Sequence, residues 1–183
     1  MQITIDTEKG LCIYLTGLSG SGKTTIAKLL EHRLNINKYN KRMITVLDGD
    51  EVREEISKEL GFDTKSRSIN VRRIGYVAKN IVFNDGIVIC SNIAPYKQDR
   101  LHNRKIIQSI NKNYIEIYLK IDINQCYIRD PKGFYKINNK GIINSSNEYE
   151  IPDDNEITID TVKYSKNQSV DIIYNYLIQN NYL

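Results

Sequence analysis

The sequence has little with which to staple, anchor or wrap itself. It contains three cysteines, Cys12, Cys90 and Cys126, an odd number with no C-x-x-C pair. That spacing argues against a disulfide framework or a zinc site and for a reducing compartment. No apolar run is long enough to span a bilayer, and Met1 is followed at once by polar residues rather than by a signal-peptide core. The expectation is a cytoplasmic protein with no membrane partner. Nor does any block of positive charge stand out. Runs of Lys and Arg do not exceed pairs such as Lys41-Arg42 and Arg72-Arg73, and the net charge is only +4. An excess this small fits small anionic ligands and gives no basis for nucleic-acid binding. No Ser-His or Cys-His nucleophile arrangement is visible either.

What is present reads as one domain. A chain of 183 residues, 40% hydrophobic and 26% charged, has the balance of a soluble globular fold. Apolar, β-prone runs alternate with helical spacing. Strands are predicted at Leu11 to Thr16, Met43 to Leu47, Ile87 to Cys90, Tyr114 to Leu119 and Ile157 to Ile159. Helices are predicted at 24–34, 72–83, 99–110 and 169–177. Strands separated by helices imply a mostly parallel sheet covered on both faces, a three-layer α/β/α fold of the P-loop NTPase type. The stretch 130–154 breaks this rhythm with Asn, Lys, Gly and Ser, and is expected to be a lid.

Gly17-Leu18-Ser19-Gly20-Ser21-Gly22-Lys23-Thr24 matches G-x-x-x-x-G-K-[ST] in full. It follows a predicted strand and opens a predicted helix, the context the motif requires. The glycines let backbone N–H groups turn toward phosphate oxygens, and the helix presents its positive end to the same place. Lys23 supplies a point charge for the β and γ phosphates, and Thr24 offers a hydroxyl to Mg²⁺. A P-loop by itself is compatible with a GTPase, a motor or a transporter ATPase. However, the third strand ends in Ser91-Asn92 rather than in an aspartate, and no N-K-x-D guanine-reading motif occurs. Asp48-Gly49-Asp50 instead places two carboxylates at the end of the second strand. Such groups hold Mg²⁺ through water or accept a proton from an attacking hydroxyl, and they equally suit a turn or a helix cap.

Five blocks in this order, GLSGSGKTT, LDGDEVR, LGFDTKSRSINVRRIGYVAKN, IAPYKQDR and RDPKGFY, resemble the adenylylsulfate (APS) kinase family over almost the whole chain. Only the first is generic to P-loop proteins. The resemblance implies transfer of the ATP γ-phosphate to the 3′-hydroxyl of adenosine 5′-phosphosulfate, with ATP and Mg²⁺ as cofactors. It assigns ATP to Gly17, Ser19, Gly20, Ser21, Gly22, Lys23, Thr24 and Thr25, with Arg129 and Lys132 at the start of the lid. Catalysis falls to Lys23, Asp48 and Asp50, and the metal to Thr24 and Asp48. The acceptor nucleotide falls to Asp50, Arg53, Phe62, Arg67, Asn70, Ile93 and Ala94. An aromatic face stacks a base, guanidinium groups grip anionic oxygens, and an amide reads a base edge. The resemblance also implies a homodimer and a functional link to ATP sulfurylase.

Two departures bear on mechanism and acceptor. Ala94 stands where the family often has a serine that is phosphorylated in some members, so direct in-line transfer is implied here. An F-T-G-I-D-like block that precedes P-Y-E in the family is missing before Glu148-Tyr149-Glu150. Loss of its aromatic face weakens acceptor stacking by about 1–3 kcal/mol. Two other readings therefore stand beside APS kinase. One is a 3′-hydroxyl kinase for another nucleotide such as cytidine diphosphoramidate. The other is a non-catalytic nucleotide-binding subunit.

Overall fold

The computed structural model describes residues 9–37, 41–129 and 148–183. Five strands form one parallel sheet in the order β2-β3-β1-β4-β5, with β1 at Leu11–Thr16, β2 at Ile44–Asp48, β3 at Ile87–Ser91, β4 at Asn113–Lys120 and β5 at Ile157–Asp160. Registers such as Leu11↔Ile87 and Leu11↔Asn113 place β1 at the centre, with its C-terminal end flanked by those of β3 and β4. Every residue of β1 and β3 is buried, which is why these strands read as continuous apolar runs rather than as alternations.

Side chains of β1 alternate between the two faces. Leu11, Ile13 and Leu15 pack with Ile26, Ala27, Leu30 and Leu34 of α1 (Lys23–Asn35) and with Val170, Ile173 and Leu177 of α6 (Lys166–Gln179). Cys12 and Tyr14 pack on the other side with Val71, Ile74, Ala78 and Val82 of α3 (Thr64–Phe83) and Ile107 of α4 (Lys97–Gln108). The chain is therefore the expected three-layer α/β/α sandwich. All three cysteines are buried, and none forms a disulfide among the described residues. No helix among the described residues is long and apolar enough to cross a membrane.

Two short helices carry too little apolar periodicity to be read from sequence. They are α2 (Gly49–Glu55), which buries only Val52, and α5 (Ile123–Arg129), which buries only Cys126. Helix α3 begins eight residues before the predicted Arg72. Its first turns are polar, and Asp63 starts the helix by accepting from the Ser66 backbone N–H at 3.0 Å. Of the expected lid, only 148–154 falls within the described residues. That portion is fastened to the body: Tyr149 is buried and stacked on Tyr118, and the Lys97 N–H donates to Glu150 Oε2 at 2.5 Å.

Candidate active site

The C-terminal ends of β1 and β3 and the loops that follow them converge on one edge, where open parallel sheets bind ligands. The turn after β1 is the P-loop. Gly17, Gly20 and Gly22 hold φ of 148°, 82° and 94°, in the region that L side chains rarely enter. At Gly17 a Cβ would also meet the Leu119 carbonyl at 2.6 Å, so both conformation and space demand glycine. The Lys23 ammonium folds over its own loop and donates to the Gly17 and Leu18 carbonyls at 2.9 and 2.8 Å. Ser21 is buried, Ser19 half-buried, and Thr25, the third residue of α1, exposed. Arg129, at the end of α5, donates to the Gly20 carbonyl at 3.5 Å and to Thr161 Oγ1 and O at 3.2 and 2.5 Å. It thereby sits against the P-loop. Lys132 lies outside the described residues.

Asp48 ends β2, an edge strand that pairs with β3 so that Asp48 lies beside Ser91. Its carboxylate caps α2 by accepting from the Asp50 N–H at 3.0 Å, and its other oxygen accepts from Thr24 Oγ1 at 2.7 Å and Ser91 Oγ at 3.4 Å. This aspartate is a helix cap and also meets the P-loop threonine. The third strand lacks a terminal aspartate, and the neighbouring strand supplies a carboxylate to the same place. Gly49 is required by close approach, since a Cβ there would lie 2.7 Å from Asn92 Cβ.

Asp50, exposed in the first turn of α2, lies near enough to Arg53 to act on its charge. Arg53 lies over the Phe62 ring, 4.7 Å from its centroid, and donates to the Leu60 and Gly61 carbonyls at 3.2 and 2.8 Å. Burial and the nearby Arg67 guanidinium push Arg53 below its ordinary pKa, with Asp50 opposing them. Two guanidiniums held this close repel each other and attract an anion. Phe62 is no core residue: it is 54% exposed, an aromatic face available for stacking. Arg67 is not a solvated surface charge either, for its side chain is largely buried and meets Glu148 at 3.4 Å. Asn70, one turn further along the same face of α3, is 6% exposed, and its Oδ1 has no hydrogen-bond partner among the described residues.

Ile93 and Ala94 close the far side. The Ile93 carbonyl accepts from Thr16 Oγ1 at 2.6 Å, and the same hydroxyl meets the Tyr149 hydroxyl at 2.8 Å. Burial raises the Tyr149 pKa, only partly offset by the Thr16 contact, so the phenol stays protonated. Sequence reasoning did not single out Thr16, Tyr149, Thr161 or Arg100. For Arg100 the signal lies in the burial pattern of its helix, which only the structure shows. The buried positions of α4 are Asp99, Arg100, Asn103 and Ile107, while Leu101 is 38% exposed. A helix that buries its polar residues and exposes a leucine announces a buried polar network.

A phosphate cradle that opens onto paired aspartates, and beyond them onto an aromatic–guanidinium cluster, defines a P-loop kinase. The model of the adenylylsulphate kinase family matches residues 9–160. An adenylyl-sulfate kinase from Staphylococcus epidermidis is 42% identical over 96% of this chain and 87% of its own length. A solved Mycobacterium tuberculosis APS kinase, in complex with AMPPNP and APS, superposes with a TM-score of 0.82 at 27% identity, covering 92% of this chain and 98% of that one. A hexameric APS kinase from Thiobacillus denitrificans gives a TM-score of 0.75 at 36% identity over 97% of this chain and 30% of that one. The chain belongs to the adenylylsulphate kinase family.

Proposed function

We propose that this chain is an adenylyl-sulfate kinase that moves the γ-phosphate of ATP to the 3′-hydroxyl of adenosine 5′-phosphosulfate. The observation that carries the reading is the bond from Thr24 to Asp48. It joins the P-loop to the acceptor-side aspartates within one site. The hard oxygens of Thr24 and Asp48 are the donor set that suits Mg²⁺, which binds through a hydroxyl, one or two carboxylates and retained waters. When bound, the ion neutralises charge on the β and γ phosphates.

The residues then divide the work. Lys23 exchanges the neutral carbonyls of Gly17 and Leu18 for charged phosphate oxygens, a stronger interaction with the same ammonium. Arg53 and Arg67 hold the anionic end of the acceptor, Phe62 stacks its base, and Asn70 reads a base edge. Asp50 accepts the proton of the 3′-hydroxyl as its oxygen bonds to the γ-phosphorus and ADP departs with the electrons of the broken P–O bond. Ala94 offers no hydroxyl, so transfer is direct. Arg129 and Lys132 meet ATP. A homodimer and a functional link to ATP sulfurylase belong to the same proposal; light scattering checks the dimer.

The names carried by the relatives favour adenylyl sulfate over a cytidine derivative. Turnover assayed as ADP release with adenosine 5′-phosphosulfate, adenosine 5′-phosphate and cytidine 5′-diphosphate derivatives should give the highest kcat/KM for the first. A preference for a cytidine acceptor, or no turnover with any of them, would overturn the reading.

A further inference from the structure

Arg100 stands one turn into α4 and is 2% exposed. Its Nε donates to Glu116 Oε1 of β4 at 3.0 Å. Its Nη1 donates to the Ala94 carbonyl at 2.7 Å and the Pro95 carbonyl at 3.1 Å, and its Nη2 to the Glu150 carbonyl at 2.7 Å. The guanidinium also lies 5.7 Å from the centroid of the Tyr149 ring. One buried side chain therefore reaches the sheet, the turn after β3 and the segment 148–154.

The turn would not adopt its shape unaided. Ala94 is 1% exposed and holds φ at 44°, in the left-handed region disfavoured for any residue with a Cβ. Such a residue persists only where its surroundings over-determine it. Every carbonyl of the turn is drawn inward: Ile93 O by Thr16, Ala94 O by Arg100, and Pro95 O by Arg100 and by the Glu150 N–H at 2.9 Å. The Ile93 and Ala94 N–H groups, in contrast, make no hydrogen bond among the described residues. Stability does not account for the ion pair at the centre of this arrangement, because well-packed apolar residues often replace buried pairs without loss. What an apolar residue could not do is hold the Ala94, Pro95 and Glu150 carbonyls at once.

We propose that Arg100, oriented by Glu116, is a positioning residue for the acceptor: it holds Ile93-Ala94-Pro95 in its left-handed turn and ties that turn to Tyr149 and Glu150. It touches no substrate. The inference rests on the reading of Ile93 and Ala94 as acceptor-facing backbone. It adds that one side chain sets both the acceptor wall and the placement of 148–154. Because Tyr149 also meets Thr16 at the root of the P-loop, the whole far wall of the site is one connected unit.

The test compares Arg100→Lys, Glu116→Gln, Ala94→Gly and the double variant Arg100→Lys/Ala94→Gly. KM for ATP and for adenosine 5′-phosphosulfate is measured separately, together with Tm. Lysine keeps the charge opposite Glu116 but cannot make the forked set of bonds. The acceptor KM of Arg100→Lys should rise by about tenfold or more, with the ATP KM within about twofold. Ala94→Gly should restore part of that loss in the double variant, because glycine enters the left-handed region without strain and needs less holding. Glu116→Gln should shift the acceptor KM in the same direction by less. Should Arg100→Lys fail to fold, Glu116→Gln carries the same split on its own. A fall in Tm with the two KM values unchanged or moved together, and no rescue by glycine, would overturn the proposal. That outcome is separable from failure of the functional reading, which is decided by the wild-type protein. If wild type turns over a different nucleotide, the same split is read with that nucleotide.

Discussion

Replacing Asn70 by leucine should leave the fold as stable as before, or more so, while damaging acceptor binding alone. Asn70 is 6% exposed on α3, and its Oδ1 is buried without a partner among the described residues. A buried acceptor left unpaired costs about 1–3 kcal/mol. Leucine is close in volume and removes that penalty, and in a chain of this size each kcal/mol is worth about 2–4 °C in Tm. Scanning fluorimetry should therefore give a Tm equal to wild type or a few degrees higher. In the complex, by contrast, the oxygen is expected to accept from the acceptor base. Losing it leaves a donor on the base unpaired, a loss of about 1–3 kcal/mol, equivalent to an acceptor Kd weakened by about 5- to 150-fold. ATP affinity should not change, because Asn70 belongs to α3 and not to the P-loop. Calorimetric titration of each nucleotide separates the two effects. A Tm lowered to the extent of a core cavity, with acceptor affinity intact, would show the amide to be structural and refute this reasoning.

Three further outcomes are expected. Lys23→Ala should fold normally and lose at least about a hundredfold in kcat, because the ammonium, which donates to the Gly17 and Leu18 carbonyls at rest, stabilises charge in the transition state; near-normal turnover by the folded variant would remove Lys23 from the mechanism. Turnover with γ-labelled ATP should leave no label on the protein, since Ala94 has no hydroxyl to accept it; intact-mass analysis showing a stoichiometric phosphate near Pro95 would contradict direct transfer. Asp63, Asp85, Asp153 and Asp160 are held below the ordinary aspartate value of 3.8 by bonds from Ser66, Lys112, Lys97 and the Val162 N–H respectively. Their pKa values are depressed on folding, so below 3.8 the unfolded chain binds more protons and the stability these groups add is lost as pH falls. Tm should hold level above that value and drop below it, and a Tm insensitive to acid there would refute the linkage.

The sequence by itself determined the layers and the chemistry at one end of the site. Five strands were legible because β1 and β3 are buried on both faces and therefore apolar throughout. The P-loop was legible because backbone turned toward phosphate needs glycine at fixed positions, and Gly17, Gly20 and Gly22 do hold positive φ. Helix α3 was legible from Arg72 onward, where apolar spacing is regular, and not over its polar first turns, where a cap rather than periodicity starts it.

Only the tertiary structure decided which of these residues meet. Asp48 reaches Thr24 because β2 lies beside β3 and β3 beside β1, an order that local spacing does not encode. It also decided that Phe62 stands exposed under Arg53, that Arg129 rests on Thr161, and that Tyr149 closes onto Thr16 across more than a hundred residues. Arg100 shows the difference most sharply. A sequence records a charged residue on a helix, and nothing in its neighbours says that the charge is buried. Its partners on β4, after β3 and in 148–154 come within reach only when the sheet has assembled, because hydrogen bonds act over about 3 Å and the chain brings those segments together solely through its fold.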